Sequence, residues 1–323
     1  MTLAVAAFFS SCSQPPEEVI VKEKVSLGIS KSLLSIPIYL AIEKGYFASE
    51  GLDLTLREYG SGKLATRAML AGEVDMSTVA DMPIVFNSFK NEDFCIFATF
   101  CSSYGFVRII ARKDRGIATG KDLKGKKVGV NKGTSSHFFL GNFVVANQVP
   151  LVDVELIHKK TFDMQDALLN NEVDAVSIWQ PYAEYIKQSL GENSLELNKH
   201  LNFSRVSFSL AANKTFIKDR LAIQKKILRA LDRVTTFSQK NREEAQAIIA
   251  RTFDIDKDIL GKIWDDYTFG ISLDQALLVS LDDIARWAIK NQFVDSNEIP
   301  NFLDYICLDA LEAVKPEAIS IIR

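Results

Sequence analysis

Two stretches of the chain share one pattern: AMLAGEVDMSTVADMP at residues 68–83 and ALLNNEVDAVSIWQP at residues 167–181. Each reads as a helix end, then Glu-Val-Asp, a short apolar run of strand length, a loop, and a proline that opens the next helix. The copies lie 99 residues apart, too far for a solenoid repeat. That distance suits two similar α/β lobes with one such unit each. In open parallel sheets, ligands bind beyond the carboxyl ends of the strands. The loops after VDMSTV and VDAVSI, which carry Asp81 and Trp179, are therefore expected to face each other across a cleft.

The flanking sequence alternates in the same way. KVSLGIS is a strand candidate, and PIYLAIEKGYFASEG reads as a helix with Pro37 in its first turn and Gly51 as its stop. LDLTLREY alternates like a strand and GKLATRAMLAG reads as a helix ending in Gly72. KKVGV, VDVELIH and VDAVSIW supply further strands, separated by the GTSS helix and a helix around FDMQDALLNN. Strands separated by helices predict parallel sheets with helices on both faces. After about residue 213 the chain becomes mostly helical, through IQKKILRALDRVTTFSQK and LVSLDDIARWAIKNQF.

Composition narrows the function classes. A chain of 323 residues has room for two lobes with ample core. With 47% apolar and 24% charged residues it is a soluble globular chain. The net charge of −3, with both signs mixed, leaves no electrostatic footprint for nucleic acid. No apolar run approaches the roughly 18 to 20 residues of a membrane span.

The junction NKGTSSHFFL, residues 131–140, joins a strand to a helix through Gly133, Thr134, Ser135 and Ser136. One reading is a helix N-cap, worth typically about 1 kcal/mol. The other is an anion seat, where free amides, hydroxyls and the positive end of the helix dipole converge. A cap needs one such residue, and three are present.

Four runs in order, IPIYLAIEKGYFASEGLDLTL, SGKLATRAMLAGEVD, RKDRGIATGKDLKGKKVGVNKGTSSHFFL and VDAVSIWQPY, resemble the periplasmic substrate-binding proteins of sulfonate, taurine, nitrate and thiamine-precursor ABC transporters. The resemblance covers roughly residues 25 to 212. It implies an α/β, two-lobed type II periplasmic-binding-protein fold, each lobe a β-sheet flanked by helices, with a helical C-terminal part. The implied organisation is a signal or lipoprotein segment and tether at 1–24, a first lobe over 25–111, a second over 112–206, and a return to the first lobe with the helical region over 207–323. The crossings are expected near VRIIARKD and VSFSLAAN.

The resemblance favours the anion seat, since in sulfonate and taurine binders such a turn opens the second lobe's helix and faces the ligand. Thr134, Ser135 and Ser136 are therefore expected in the site. Ser61 and Asp81 on the other wall, Ser35 at another strand end, and Trp179 and Tyr182 as closing aromatics complete the set. A hydrogen bond to a charged group is worth about 1.5 to 3 kcal/mol, whereas micromolar binding needs about 8 kcal/mol net, so the seat alone is marginal. Asp81 would suit a ligand amino group or could simply cap a helix. Arg205 reads as a surface charge, and His137 as packing or capping. No metal or cofactor is expected.

The N-terminus, MTLAVAAFFSSCSQPPEEVIVKEK, resembles a bacterial lipobox with Cys12 as the lipidated residue, although Phe9 stands where an aliphatic residue is usual and no basic residue precedes it. Cys95 and Cys101 lie six residues apart in one strand-like run, too far to pair. With Cys307 they read as buried apolar fillers rather than a disulfide framework.

Two function classes follow. One is a non-catalytic, monomeric, membrane-anchored receptor outside the cytoplasm, which closes on a small polar or anionic organic molecule and presents it to a membrane permease. The alternatives are a binder of a thiamine-type pyrimidine or related heteroaromatic, or an enzyme on the same fold. The chain lacks a cysteine-rich motif, a Gly-rich phosphate loop and a Ser-His-Asp arrangement at a recognisable spacing, which favours the receptor.

Overall fold

The computed structural model describes residues 22–199 and 205–322. The strands are β1 (Glu23–Ser30), β2 (Leu52–Tyr59), β3 (Met76–Ala80), β4 (Cys95–Ser103), β5 (Val107–Arg112), β6 (Lys127–Val130), β7 (Glu155–His158), β8 (Ala175–Trp179), β9 (Ser194–Glu196), β10 (Val206–Ala212) and β11 (Tyr267–Ser272). They form one sheet in the order β11-β4-β10-β3-β1-β2 and a second in the order β7-β6-β8-β5-β9.

The repeated Glu-Val-Asp pattern has the same use in both sheets. Asp75 Oδ2 accepts from the amide and the hydroxyl of Ser26 on β1, at 2.7 and 2.6 Å. Asp174 Oδ2 accepts from the Lys127 amide on β6 at 2.9 Å, and its own amide donates to Lys127 O. Each aspartate thus pins its strand to the neighbouring parallel strand, fixing β3 on β1 and β8 on β6. Val74 and Val173 are buried beside it, where Gly28 and Gly129 leave room: a Cβ there would lie 3.1 Å from Val74 Cγ2 and 3.5 Å from Val173 Cγ2 respectively.

Both sheets are mixed rather than parallel. β1 pairs in parallel with β2 and β3, and β6 with β7 and β8, as the alternation of strands and helices predicts. The exceptions follow from the two passages between sheets, one after β4 and one between Glu196 and Val206. A strand entering from the other lobe starts at the cleft and runs away from it, opposite to strands that end there. β10 is accordingly antiparallel to β3 and β4, and β5 to β8 and β9. Val107–Arg112, expected at the end of the first lobe, therefore pairs in the second sheet.

Two further expectations change. The helix read over residues 37–51 is broken at Gly45, whose φ of +66° cannot continue a helix, into Ile36–Glu43 and Tyr46–Ser49. The helical tail contributes β11, which lies antiparallel on the edge of the first sheet. Its helix Gln275–Lys290 also reaches the second lobe: Trp287 packs on His137 and Phe138 of the helix Ser135–Ala146, ring centroids 5.0 and 5.4 Å apart. Gly141 makes room for the indole, since a Cβ there would meet Trp287 Nε1 at 2.6 Å.

The reading of the cysteines as unpaired fillers is overturned in part. Cys95, on β4, is joined to Cys307 across 6.0 Å between Cα atoms, while Cys101 is buried and free. Sequence separation hid the pair: the two are 212 positions apart, brought together because Ile306 bridges to Ile96. The bond ties the C-terminal region to the core strand of the first sheet. Replacing Cys307 by Ser is expected to lower unfolding free energy by about 2–4 kcal/mol, measured as a shift in urea midpoint, with the same loss in wild type under reductant.

Candidate functional site

Between the sheets lies a cleft with about 610 Å³ of empty space, counted out to its mouth. Strand ends and helix starts build its walls, because both sheets present their carboxyl edges to it. From the first lobe come Ser30 and Ser32 after β1, the start of the helix Gly62–Leu70 with Ser61 and Lys63, and Ala80 and Pro83 after β3. The second lobe supplies Thr134 and Ser135, Thr161 and Phe162 after β7, and Trp179 and Tyr182 after β8. Phe106, in the connection between β4 and β5, lies parallel to Trp179 with ring centroids 6.0 Å apart.

The junction at Thr134 is not a capped helix. Thr134 Oγ1 donates to Asn131 O at 2.7 Å and lies 3.0 Å from Ser136 Oγ, so no side chain accepts from the first-turn amides. Thr134 O is taken by the amides of His137 and Phe138. Among the described residues the amides of Ser135 and Ser136 have no acceptor; Ser135 stands at the wall of the cleft and Ser136 just behind it, at the positive end of a 12-residue helix. By contrast, Ser61 Oγ accepts from the Leu64 amide and caps the facing helix of the first lobe.

The structure brings Ser61, Thr134, Ser135, Trp179 and Tyr182 together in the cleft and leaves three expected residues outside its lining. Ser35 is fully buried and donates to Ser30 O at 2.8 Å, its place being taken by Ser30 and Ser32. Ser136 is buried beneath the turn; its hydroxyl meets Thr134, and its carbonyl accepts from Ser177 Oγ. Asp81 is buried and turned inward to accept from the Ser207 amide of β10 at 2.9 Å, outside the lining of the cleft. Arg205 is half-buried and ion-paired with Asp274 at 3.1 Å rather than solvated. The lipidation residue Cys12 lies outside the described residues.

Reasoning from sequence missed Lys63, Thr161, Phe162 and Phe106. The strand-end rule that located Trp179 would have located Thr161 and Phe162 after VDVELIH. Phe106 carries no such signal, as it sits in a passage between lobes.

Two buried groups behind the walls titrate abnormally. Burial pushes the Asp81 carboxyl up to about 7, opposed by the Ser207 amide and by Arg205. Its Oδ1 is buried with no partner. His137 is a packing residue: its Nδ1 accepts weakly from the Gly133 amide at 3.4 Å, and its ring packs against both Trp287 and Phe293. Burial, with Lys132 and Lys63 nearby, lowers it to about 4.

Two sheets joined by two passages of chain, with strand ends facing a shared cleft, define the class of two-lobed proteins with the type II periplasmic-binding fold. The chain belongs to the NMT1/THI5-like family, whose model matches residues 34–245. A curated relative in Bacillus subtilis (strain 168), named as an aliphatic sulfonates-binding protein, is 26% identical over 245 residues, covering 75% of this chain and 73% of its own. The alkanesulfonate-binding protein SsuA from Xanthomonas axonopodis pv. citri, solved bound to MOPS, shares the fold with a TM-score of 0.77 at 14% identity, over 88% of this chain and 98% of that one. The desulfurization enzyme DSZB shares it as well, with a TM-score of 0.68 at 13% identity over 91% and 99%. The fold therefore hosts binding and catalysis alike.

The two buried groups oppose each other in pH dependence. The folded state holds Asp81 protonated more strongly than the unfolded chain does, so stability from this group is complete below about 4 and is lost as pH rises to about 7. For His137 the stability is complete above about 6.5 and is lost as pH falls to about 4. The stability of Asp81→Asn relative to wild type is therefore expected to increase as pH rises across that range. For His137→Gln the relative stability should instead increase as pH falls, both read from urea midpoints between pH 4 and 8.

Proposed function

We propose that this chain is the extracytoplasmic solute-binding protein of an ABC importer. It captures a small organic anion of the sulfonate type between its lobes and delivers it to a membrane permease, held at the membrane by a lipid on Cys12. The observation that carries the reading is the pair of unfilled amides at Ser135 and Ser136. Buried donors at a helix start are ordinarily capped, and here the capping hydroxyl is diverted to Asn131. An oxyanion is the acceptor that such a terminus suits.

Two facts support it. The curated relative in B. subtilis is named for binding aliphatic sulfonates and the Xanthomonas neighbour for binding alkanesulfonates. The Cys95–Cys307 bond suits an oxidising compartment. Binding without turnover is the expected behaviour.

Proline at the first helical position removes one amide while keeping the helix, and Thr134 already has the extended backbone that proline requires of its predecessor. Ser135→Pro is therefore expected to weaken alkanesulfonate binding about tenfold or more in calorimetry, the loss of one charged hydrogen bond, and Ser135→Ala to weaken it less. Wild-type affinity in the proline variant, or no heat with any sulfonate on wild type, would overturn the reading. Processing at Cys12 that globomycin blocks is the corresponding result for the anchor.

A further inference from the structure

The residues around the unfilled amides say more about the solute than its headgroup. Resting on the reading above, we infer that the solute is an aromatic anion without an amino group.

Charge supplies the first argument. Lys31 and Lys63 line the cleft, and among the described residues no aspartate or glutamate does. Asp81, the acid expected there, is buried and accepts from the Ser207 amide, and Asp166 lines only an adjoining groove that shares Thr161, Phe162 and Tyr182 with the cleft. Next to the cleft, and sharing Lys63 and Pro83 with it, is a wider groove that presents Arg67, Lys90 and Lys132 against a single acid, Glu92. An ammonium group on the solute would lose its hydration in this field and gain no counter-charge. An anion is drawn toward it.

Unused donors supply the second. Thr161 is 4% exposed, lines the cleft, and has a hydroxyl oxygen with no hydrogen-bond partner. Buried hydroxyls are ordinarily paired, and Thr161 stands on the same wall as the unfilled amide of Ser135. Lys63 extends from the first lobe to the second, its ammonium lying 3.0 Å from where a Cβ on Gly133 would be. Donors from both lobes thus line one cleft, and the headgroup binds among them.

The third argument concerns the rest of the solute. Six rings line the cleft: Tyr59 and Phe208 from the first lobe, Phe162, Trp179 and Tyr182 from the second, and Phe106 between them. Phe106 and Trp179 are parallel to within 7°, and Phe162 stands edge-on to Tyr182 with centroids 5.6 Å apart. Phe162 is 66% exposed, so the fold does not bury this ring, whereas a solute lying against it would. An alkyl chain would fill the space, but only a ring uses the faces and edges of its neighbours as aromatic pairs do.

The test is calorimetry on the full chain with three probes: 4-toluenesulfonate, propane-1-sulfonate, and taurine, which matches propane-1-sulfonate in shape with an ammonium in place of a methyl. The expected order is toluenesulfonate at least tenfold tighter than propanesulfonate, and taurine at least tenfold weaker than propanesulfonate. Trp179→Leu or Tyr182→Leu, which remove a ring and keep an apolar side chain, should narrow the first gap to threefold or less with propanesulfonate affinity retained. Lys63→Gln should weaken all sulfonates together. If propanesulfonate binds but toluenesulfonate is no tighter, or taurine binds equally well, the inference falls and the sulfonate reading stands. If none of the three binds, both fall.

Discussion

A backbone amide in the first turn of a helix has no partner inside that helix and must find one elsewhere. At Ser135 and Ser136 the described residues supply none, and the surrounding side chains keep it so. Thr134 spends its hydroxyl on Asn131, Ser136 turns its own hydroxyl inward, and Ser177 on β8 holds the carbonyl of Ser136. The uncapped turn is thereby fixed to the strand whose end carries Trp179. Seat and aromatic wall are parts of one rigid unit in the second lobe.

The other wall is built by the same device repeated. Asp75, just before β3, and Asp174, just before β8, each fix a parallel strand against its neighbour, so that both sheets offer strand ends to a common space. What holds the two halves in relation is a different set of contacts. Arg108 at the start of β5 pairs with Glu196 in its own sheet at 3.0 Å and with Asp266, beside β11 of the other sheet, at 2.9 Å. Gly105 leaves the room for that pair, as a Cβ there would lie 2.3 Å from Asp266 Cγ. Charge pairing at the base of the cleft and apolar packing of Trp287 on the Ser135 helix are both links between lobes, one polar and one dry.

Much of this was legible in the chain. The duplicated Glu-Val-Asp pattern announced two lobes because it records a local need, a strand pinned to the one beside it, that any sheet of this kind must meet. Strand and helix types followed from periodicity, and five expected site residues line the cleft because strand ends point there whatever the side chains. The failures share a cause. Ser35, Ser136 and Asp81 sit at the right places along the chain but rotate into the interior, where Ser30 O, Thr134 and the Ser207 amide meet them. Near a strand end one or two positions separate a residue that faces the cleft from one that faces the core, and no pattern in the sequence sets that angle.

The sequence by itself determined that there would be two α/β halves, where their cleft-facing ends would fall, and that a donor-rich turn would open a helix in the second half. Tertiary structure alone decided that the turn stays uncapped, that β5 and β10 run against their neighbours, that Cys95 meets Cys307, and that Asp81 turns away from the cleft. The reason is physical. Periodicity and turn chemistry act over a few residues and are written in the chain, whereas hydrogen-bond satisfaction and charge pairing depend on which distant groups the completed fold places within about 3 Å.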